Sequence, residues 1–171
     1  MLTIHLSASD GEDAVELTFE HSLVSLSKWE SQYKKAFYTK KPMTNEESAA
    51  YIKCMLITEN VPDDFLNRLS SDDVTAITDY INDKQSATWF REDTSQRPSG
   101  EIITSELIYY WLVQFDIPFQ PTESWHLNRL MTLVKIAGLK QTKPKPMSAA
   151  ARQEEMRRLN EQRRRELGST G

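Results

Sequence analysis

The segment that most limits the possible folds is "EIITSELIYYWLVQF", at residues 101–115. Its apolar side chains occur on almost every side of a helix: Ile102, Ile103, Leu107, Tyr110, Trp111 and Phe115. A helix with so little polar surface is typical of the centre of a core, so we expect this one to be central. The following "DIPFQP" ends it, because Pro118 and Pro121 cannot continue a helix.

Two segments that precede residues 101–115 are predicted to be helical, because in each a start signal is followed by a stripe of apolar residues. Thr44 and Glu47 have the spacing of a capping box, and the polar run 70–73 is a second start signal. The first helix would place Tyr51, Cys54, Met55 and Thr58 on one side, and the second Val74, Ile77, Tyr80 and Ile81. Pro62 suits the first position of a short helix over 63–69. "ATWF", at 87–90, is a short apolar patch after the second stripe.

The helix that follows "DIPFQP" is predicted to start at the polar run 122–124. Its buried stripe would be Leu127, Leu130, Met131 and Val134. Gly138 is predicted to end it, because glycine tolerates the left-handed conformation common after a helix.

"SLSKWES", at 25–31, is interpreted as the opening of another helix. Ser25 or Ser27 would cap it. Its buried face would carry Leu26, Trp29, Tyr33 and Phe37, which are three or four residues apart. Trp29 has an alternative role as a partner-binding residue, since exposed tryptophans are frequent interface hot spots.

The N-terminal residues predict a β-hairpin. Residues 2–6 and 14–20 are short and alternating or β-branched, and Asp10-Gly11 between them is a turn signal. Leu17 and Phe19 would face inward, with Glu16, Thr18 and Glu20 facing outward. A lone hairpin is marginal in water, so we expect it to pack on the helices.

The charges of the 171-residue chain are unevenly distributed. From Lys135 onward there are four lysines and six arginines against four glutamates, whereas residues 1–134 hold 11 basic and 21 acidic residues. We therefore predict a compact helical domain over 1–138, a basic proline-containing linker over 139–147, and a basic C-terminal helix and tail over 148–171. The fold class is mainly α (α+β): the hairpin packed on a bundle of about five or six helices, with the basic helix protruding.

The C-terminal helix is the main candidate for partner binding. Ser148 and Gly168 suit its two caps, and Glu154–Arg158 and Glu161–Arg165 are favourable four-residue pairs. Its thin apolar stripe needs a partner to cover it. The candidate partner-binding residues here are Met156, Arg157, Arg158, Leu159, Arg163, Arg164 and Arg165.

Nucleic-acid binding through these arginines is the alternative function. It is less expected than protein binding, because four glutamates are interleaved and no aromatic residue is available for base stacking.

No pattern of residues indicates catalysis, a metal or a cofactor. The chain has one cysteine, Cys54, and three separated histidines, and it lacks a glycine-rich phosphate loop and a Gly-x-Ser-x-Gly motif. The paired carboxylates lie at predicted helix starts, where they favour the helix dipole. No apolar run reaches the roughly 20 residues of a membrane span, and the N-terminus does not look like a signal peptide. We therefore expect a non-enzymatic, soluble protein made in a cytoplasm.

Several segments together resemble a known family: "SLSKWES", "YKKAF", "EIITSELIYYWLVQFDIPF", "WHLNRLMTLVKI" and "RLNEQRRRELGSTG". They are similar to small proteins encoded among the tail genes of tailed bacteriophages, which are treated as tail assembly chaperones or as minor tail or baseplate components. The resemblance covers about the full length and is strongest at 25–31, 101–119 and 125–136.

The resemblance implies a role in tail morphogenesis through protein–protein contacts. The implied partners are tape-measure, tail-tube or baseplate subunits, or copies of the chain itself, with no membrane. The implied location is the host cell cytoplasm during assembly, and the virion tail if the protein stays there. In the chaperone version it shields a helical tape-measure protein and then leaves; in the structural version it remains in the particle.

Overall fold

A computed structural model of the chain describes residues 1–6, 14–39, 41–90, 101–141, 153–154 and 156–157. The elements in these ranges are β1 (Leu2–Leu6), β2 (Val15–Phe19), α1 (Leu23–Tyr33), α2 (Asn45–Met55), α3 (Phe65–Arg68), α4 (Ser71–Asn82), α5 (Ser105–Gln114), α6 (Phe119–Thr122) and α7 (Leu127–Gln141). The predicted mainly α class with an N-terminal hairpin is confirmed.

β1 and β2 form a two-stranded antiparallel sheet in which Leu2 lies opposite Phe19 and Leu6 opposite Val15. Leu17 and Phe19, which were predicted to face inward, are buried, and so are Ile4 and Leu6 on β1. The predicted turn at Asp10-Gly11 lies outside the described residues. The chain after α2 extends the open edge of β2, since the N–H of Ile57 donates to the carbonyl of Thr18 (2.8 Å).

Glu20 was predicted to face outward and is buried instead. Its carboxylate accepts a hydrogen bond from the Tyr80 hydroxyl (2.6 Å) and lies 3.2 Å from the N-terminal ammonium of Met1. These partners replace the water that the carboxylate loses on burial.

α1 begins and ends at different residues from those predicted. The N-cap is Ser22, whose hydroxyl accepts from the N–H of Ser25 (3.2 Å). The Ser25 hydroxyl instead donates to the carbonyl of Glu20 (2.7 Å). The helix ends where Lys34 takes a left-handed conformation (φ 54°), so Phe37 lies beyond it.

The capping predictions for α2 and α4 are confirmed. Thr44 with Glu47, and Ser70 with Asp73, form capping boxes in which each side chain satisfies the other residue's N–H. The predicted start of the short third helix is wrong. The helix begins at Phe65, so Pro62 lies before it.

α1 lies between two apolar clusters. One joins the hairpin to α1, α2 and α4: Ile4, Leu6, Leu17, Phe19, Trp29, Tyr51, Met55, Phe65 and Ile77. The other joins α1 to α5 and α7: Leu23, Leu26, Ile108, Leu112, Leu127, Leu130 and Val134. The two clusters meet neighbouring parts of the buried face of α1, so this helix contributes side chains to both.

α5 is less central than its composition predicts. Ile108 and Leu112 are fully buried, but Tyr110 is 56% and Val113 65% exposed. α5 packs on α1 through one side only. α1 contributes to both clusters and α5 to only one, so α1 is the more central helix. Gly138 does not end α7, which continues to Gln141.

The carboxylate of Glu30 connects α1 to the start of α5. One oxygen accepts from the N–H of Phe37 (2.8 Å) and the other from the N–H of Ser105 (2.7 Å). Glu30 and Ser105 are buried. A buried carboxylate with a backbone donor on each oxygen replaces its hydration and satisfies an N–H group at the start of α5.

The chain divides into the compact units Met1–Leu139 and Lys140–Gly171. In the second unit, the described residues from Gln153 to Arg157 are helical, and Arg157 pairs with Glu154 (2.9 Å). The predicted linker starts too early, because residues 139–141 belong to α7. Residues 142–147 and most of the predicted basic helix lie outside the described residues.

Replacing Glu30 by alanine is expected to lower the free energy of unfolding by about 2–4 kcal/mol, because the buried N–H of Ser105 and the half-buried N–H of Phe37 lose their acceptor. Glu30→Gln is expected to recover only part of this loss, since its amide NH₂ would face an N–H donor. Glu46→Ala, at an exposed site in the first turn of α2, is the control, with an expected loss below about 1 kcal/mol. Urea unfolding measures all three, and equal losses for Glu30→Ala and Glu46→Ala would contradict the role of Glu30.

Replacing Gly138 by alanine is expected to stabilise the protein by about 0.5–1 kcal/mol, because glycine is unfavourable inside a helix. The added Cβ would lie 3.6 Å from the Phe115 ring, an ordinary contact. Thermal unfolding measures the change. A clear loss of stability would instead indicate that the helix ends at Gly138, as the sequence predicts.

Candidate protein-binding groove

Two buried histidines, His21 and His126, pack against each other in the domain. His21 and His126 have ring centres 5.1 Å apart. The Nδ1 atom of His21 is hydrogen-bonded to the Tyr51 hydroxyl (2.5 Å). Nε2 of His126 donates to the Tyr80 carbonyl (2.9 Å), and its Nδ1 accepts from the N–H of Asn128 (3.3 Å).

This cluster is suited to holding elements together. Burial and the neighbouring His126 lower the pKa of His21 from 6.5 to about 3, so His21 is neutral at physiological pH. Its ring is enclosed, which leaves no side open to a substrate. Burial likewise raises the pKa of Tyr51 well above its ordinary value.

The described residues contain no group of three or more His, Cys, Asp or Glu side chains that could hold a metal ion. Burial raises the pKa of Cys54, which opposes formation of a thiolate. Within the same residues, no helix is long and apolar enough to span a bilayer.

Trp29 is a core residue, so the prediction that it binds a partner is wrong for this fold. Its side chain is fully buried, and its indole N–H donates to the carbonyl of Glu47 (2.9 Å). The Tyr33 ring stacks on it at 5.0 Å. The interpretation of "SLSKWES" as a helix segment with Leu26 and Trp29 inside is confirmed.

The C-terminal candidates are only partly described. Met156 is 56% exposed on a helical segment, and Arg157 is exposed and paired with Glu154. Arg158, Leu159, Arg163, Arg164 and Arg165 lie outside the described residues, so their roles stay predictions.

A groove on the side of α5 and α7 was not foreseen from the sequence. It has a volume of about 540 Å³ and is lined by Phe90, Trp111, Phe115, Met131, Thr132, Val134, Lys135 and Gly138. Trp111 on α5 and Phe115, the residue directly after α5, are four residues apart, as are Met131 and Lys135 on α7. Each of the two helical segments thus contributes a short row of side chains, and each row forms one wall of the groove.

The surroundings of the groove combine apolar and cationic groups. Trp89, next to Phe90 in the chain, is 78% exposed. The Lys135 ammonium lies 4.1 Å from the centre of the Phe90 ring, and the Lys84 ammonium 4.0 Å from that of Trp89. Both distances suit cation–π contacts.

A groove of this kind can bind apolar side chains by excluding water from them. Its lining offers few polar groups to orient a small substrate, whereas half-buried aromatic and methionine side chains are enriched at protein interfaces. The sequence did contain two signals for it: the surplus of apolar residues in 101–115 and the patch "ATWF" outside a helix.

Acid is expected to destabilise the protein through His21. Its pKa is about 3 in the folded chain and about 6.5 when unfolded, so between these values the unfolded state binds more protons. The stabilisation is complete above pH 6.5 and decreases as the pH falls towards 3, by about 2–3 kcal/mol at pH 4.5. Urea unfolding from pH 7.5 to 4.5 should show a smaller decrease for His21→Gln, which can still bond to Tyr51.

His5→Gln, at an exposed position of β1, is the matched control and is expected to keep the wild-type profile. An unchanged profile in His21→Gln would contradict the assignment.

Comparison of the chain with protein-family models, with curated protein sequences and with solved structures finds no match.

Proposed function

We propose that this protein is a non-enzymatic factor in bacteriophage tail morphogenesis and that it acts by binding other tail proteins. The proposal combines two independent supports: the resemblance of several segments to small tail-gene proteins, and an apolar groove on the domain. The host cell cytoplasm during assembly is the proposed place of action.

The groove is the observation that carries the protein-binding part of the proposal. Five of its eight lining side chains are large and apolar: Phe90, Trp111, Phe115, Met131 and Val134. Contiguous apolar surface of this kind on a domain is a frequent mark of a binding site. Burying it against a partner would add hydrophobic free energy of about 25 cal/mol per Å² of apolar surface removed from water.

A helix is a suitable partner for such a groove. An amphipathic helix presents side chains at spacings of three and four residues, which can enter a groove between two helices in one row. Tape-measure proteins, as long helical chains, fit this requirement in the chaperone version of the proposal. A helical segment of a tail-tube or baseplate subunit fits it in the structural version.

Deleting the gene from the phage that encodes it is expected to give DNA-filled heads without normal tails, seen by negative-stain electron microscopy. Supplying the wild-type gene in trans should restore tails, and supplying a gene with an early stop codon should not. Normal tails and full infectivity in the deletion phage would contradict the proposed function.

Mass spectrometry of purified wild-type virions separates the two versions. A chaperone is expected to be absent from the particle although abundant in infected cells. A component is expected at a fixed copy number relative to a known tail subunit.

A further inference from the structure

We infer that the groove binds an amphipathic helix of a partner protein whose apolar stripe is flanked by acidic side chains. This inference rests on the proposed protein-binding function and adds the charge of the partner. It follows from the contrast between the cations near the groove and the charge of the rest of the domain.

The charges of α7 are all positive. Leu127–Gln141 contains Arg129, Lys135 and Lys140 and no acidic residue, although residues 1–134 as a whole hold 21 acidic and 11 basic residues. Lys135 belongs to the groove lining, and its ammonium lies over Phe90. Lys84 places a second ammonium over the neighbouring Trp89.

Glu92 and Asp93, two and three residues after Phe90, lie outside the described residues. Two described acidic residues close in sequence to the groove segments have other surroundings. Asp116 follows Phe115 but lines a separate hollow with Val113 and Phe119. Asp83 precedes Lys84, and its carboxylate accepts hydrogen bonds from Gln85. A partner that covers the apolar lining would therefore come close to the Lys135 ammonium, and carboxylates there would be favourable.

The same charges disfavour the chain's own C-terminal segment as the occupant. Residues 142–171 contain eight basic and four acidic residues. Placing that segment on the groove would bring like charges close to Lys135. A separate acidic helix avoids this repulsion.

The test uses the full-length protein and two synthetic helical peptides with one leucine stripe. One peptide has glutamates beside the stripe and the other has lysines at the same positions. Fluorescence anisotropy is expected to show about three- to tenfold tighter binding of the glutamate peptide at low salt, since exposed charge pairs contribute modestly. The difference should shrink as salt screens the charges.

Two pairs of variants locate the site and the charge effect. Thr132→Arg places a large side chain in the groove and should abolish binding, whereas Thr75→Arg on α4 should not. Both threonines donate to a carbonyl four residues earlier, so each change removes the same kind of hydrogen bond from its helix. Lys135→Glu should remove or reverse the preference between peptides, and Lys28→Glu, an exposed position on α1, should keep it.

Equal binding of both peptides, no binding of either, or binding that Thr132→Arg leaves intact would each overturn the inference. Tighter peptide binding by a Met156→Glu, Leu159→Glu double variant would also overturn it, because the chain's own segment would then be the occupant. These failures differ from failure of the proposed function, which is measured by tail formation in the deletion phage.

Discussion

Packing of α1 into two apolar clusters is the constraint on which the rest of the structure depends. Trp29 packs into the cluster that holds the hairpin, α2 and α4, while Leu23 and Leu26 pack into the cluster with α5 and α7. One helix therefore supplies side chains to both cores. The Glu30 carboxylate adds a polar connection across the same helix, since it binds the N–H groups of Phe37 and Ser105. Because these donors lie in different segments, the position of α5 depends directly on α1.

The groove is a consequence of that arrangement. α5 meets α1 and α7 through Ile108 and Leu112, which leaves its other sides only partly covered. Trp111 and Phe115 then form one wall of the groove and α7 the other. An apolar helix that is not enclosed by its own domain retains surface that a partner can bury, and the proposed binding function rests on this feature of the fold. The cations of α7 add a charge preference to an otherwise nonspecific apolar surface.

The polar groups inside the domain are arranged to stay satisfied. The neutral His21 bonds to Tyr51, His126 joins the start of α7 to the Tyr80 carbonyl, and Glu20 binds the Tyr80 hydroxyl. None of the described buried side-chain polar atoms lacks a hydrogen-bond partner. Such a network connects segments far apart in sequence and makes their joint positions specific, since a displaced segment would leave a buried polar group unpaired.

The sequence by itself determined the local elements. The hairpin follows from alternation, and the starts of α2 and α4 follow from capping boxes between residues three apart, so no distant contact was needed. Only the tertiary structure decided which surfaces remain exposed. Trp29, a candidate partner-binding residue, is in the core, and Glu20, predicted to face outward, is buried. α7 continues through Gly138, and α5 has an exposed side. The physical reason is that burial depends on which elements share a face. Periodicity shows that a helix has an apolar side, but it does not show how much of that side the neighbouring helices cover.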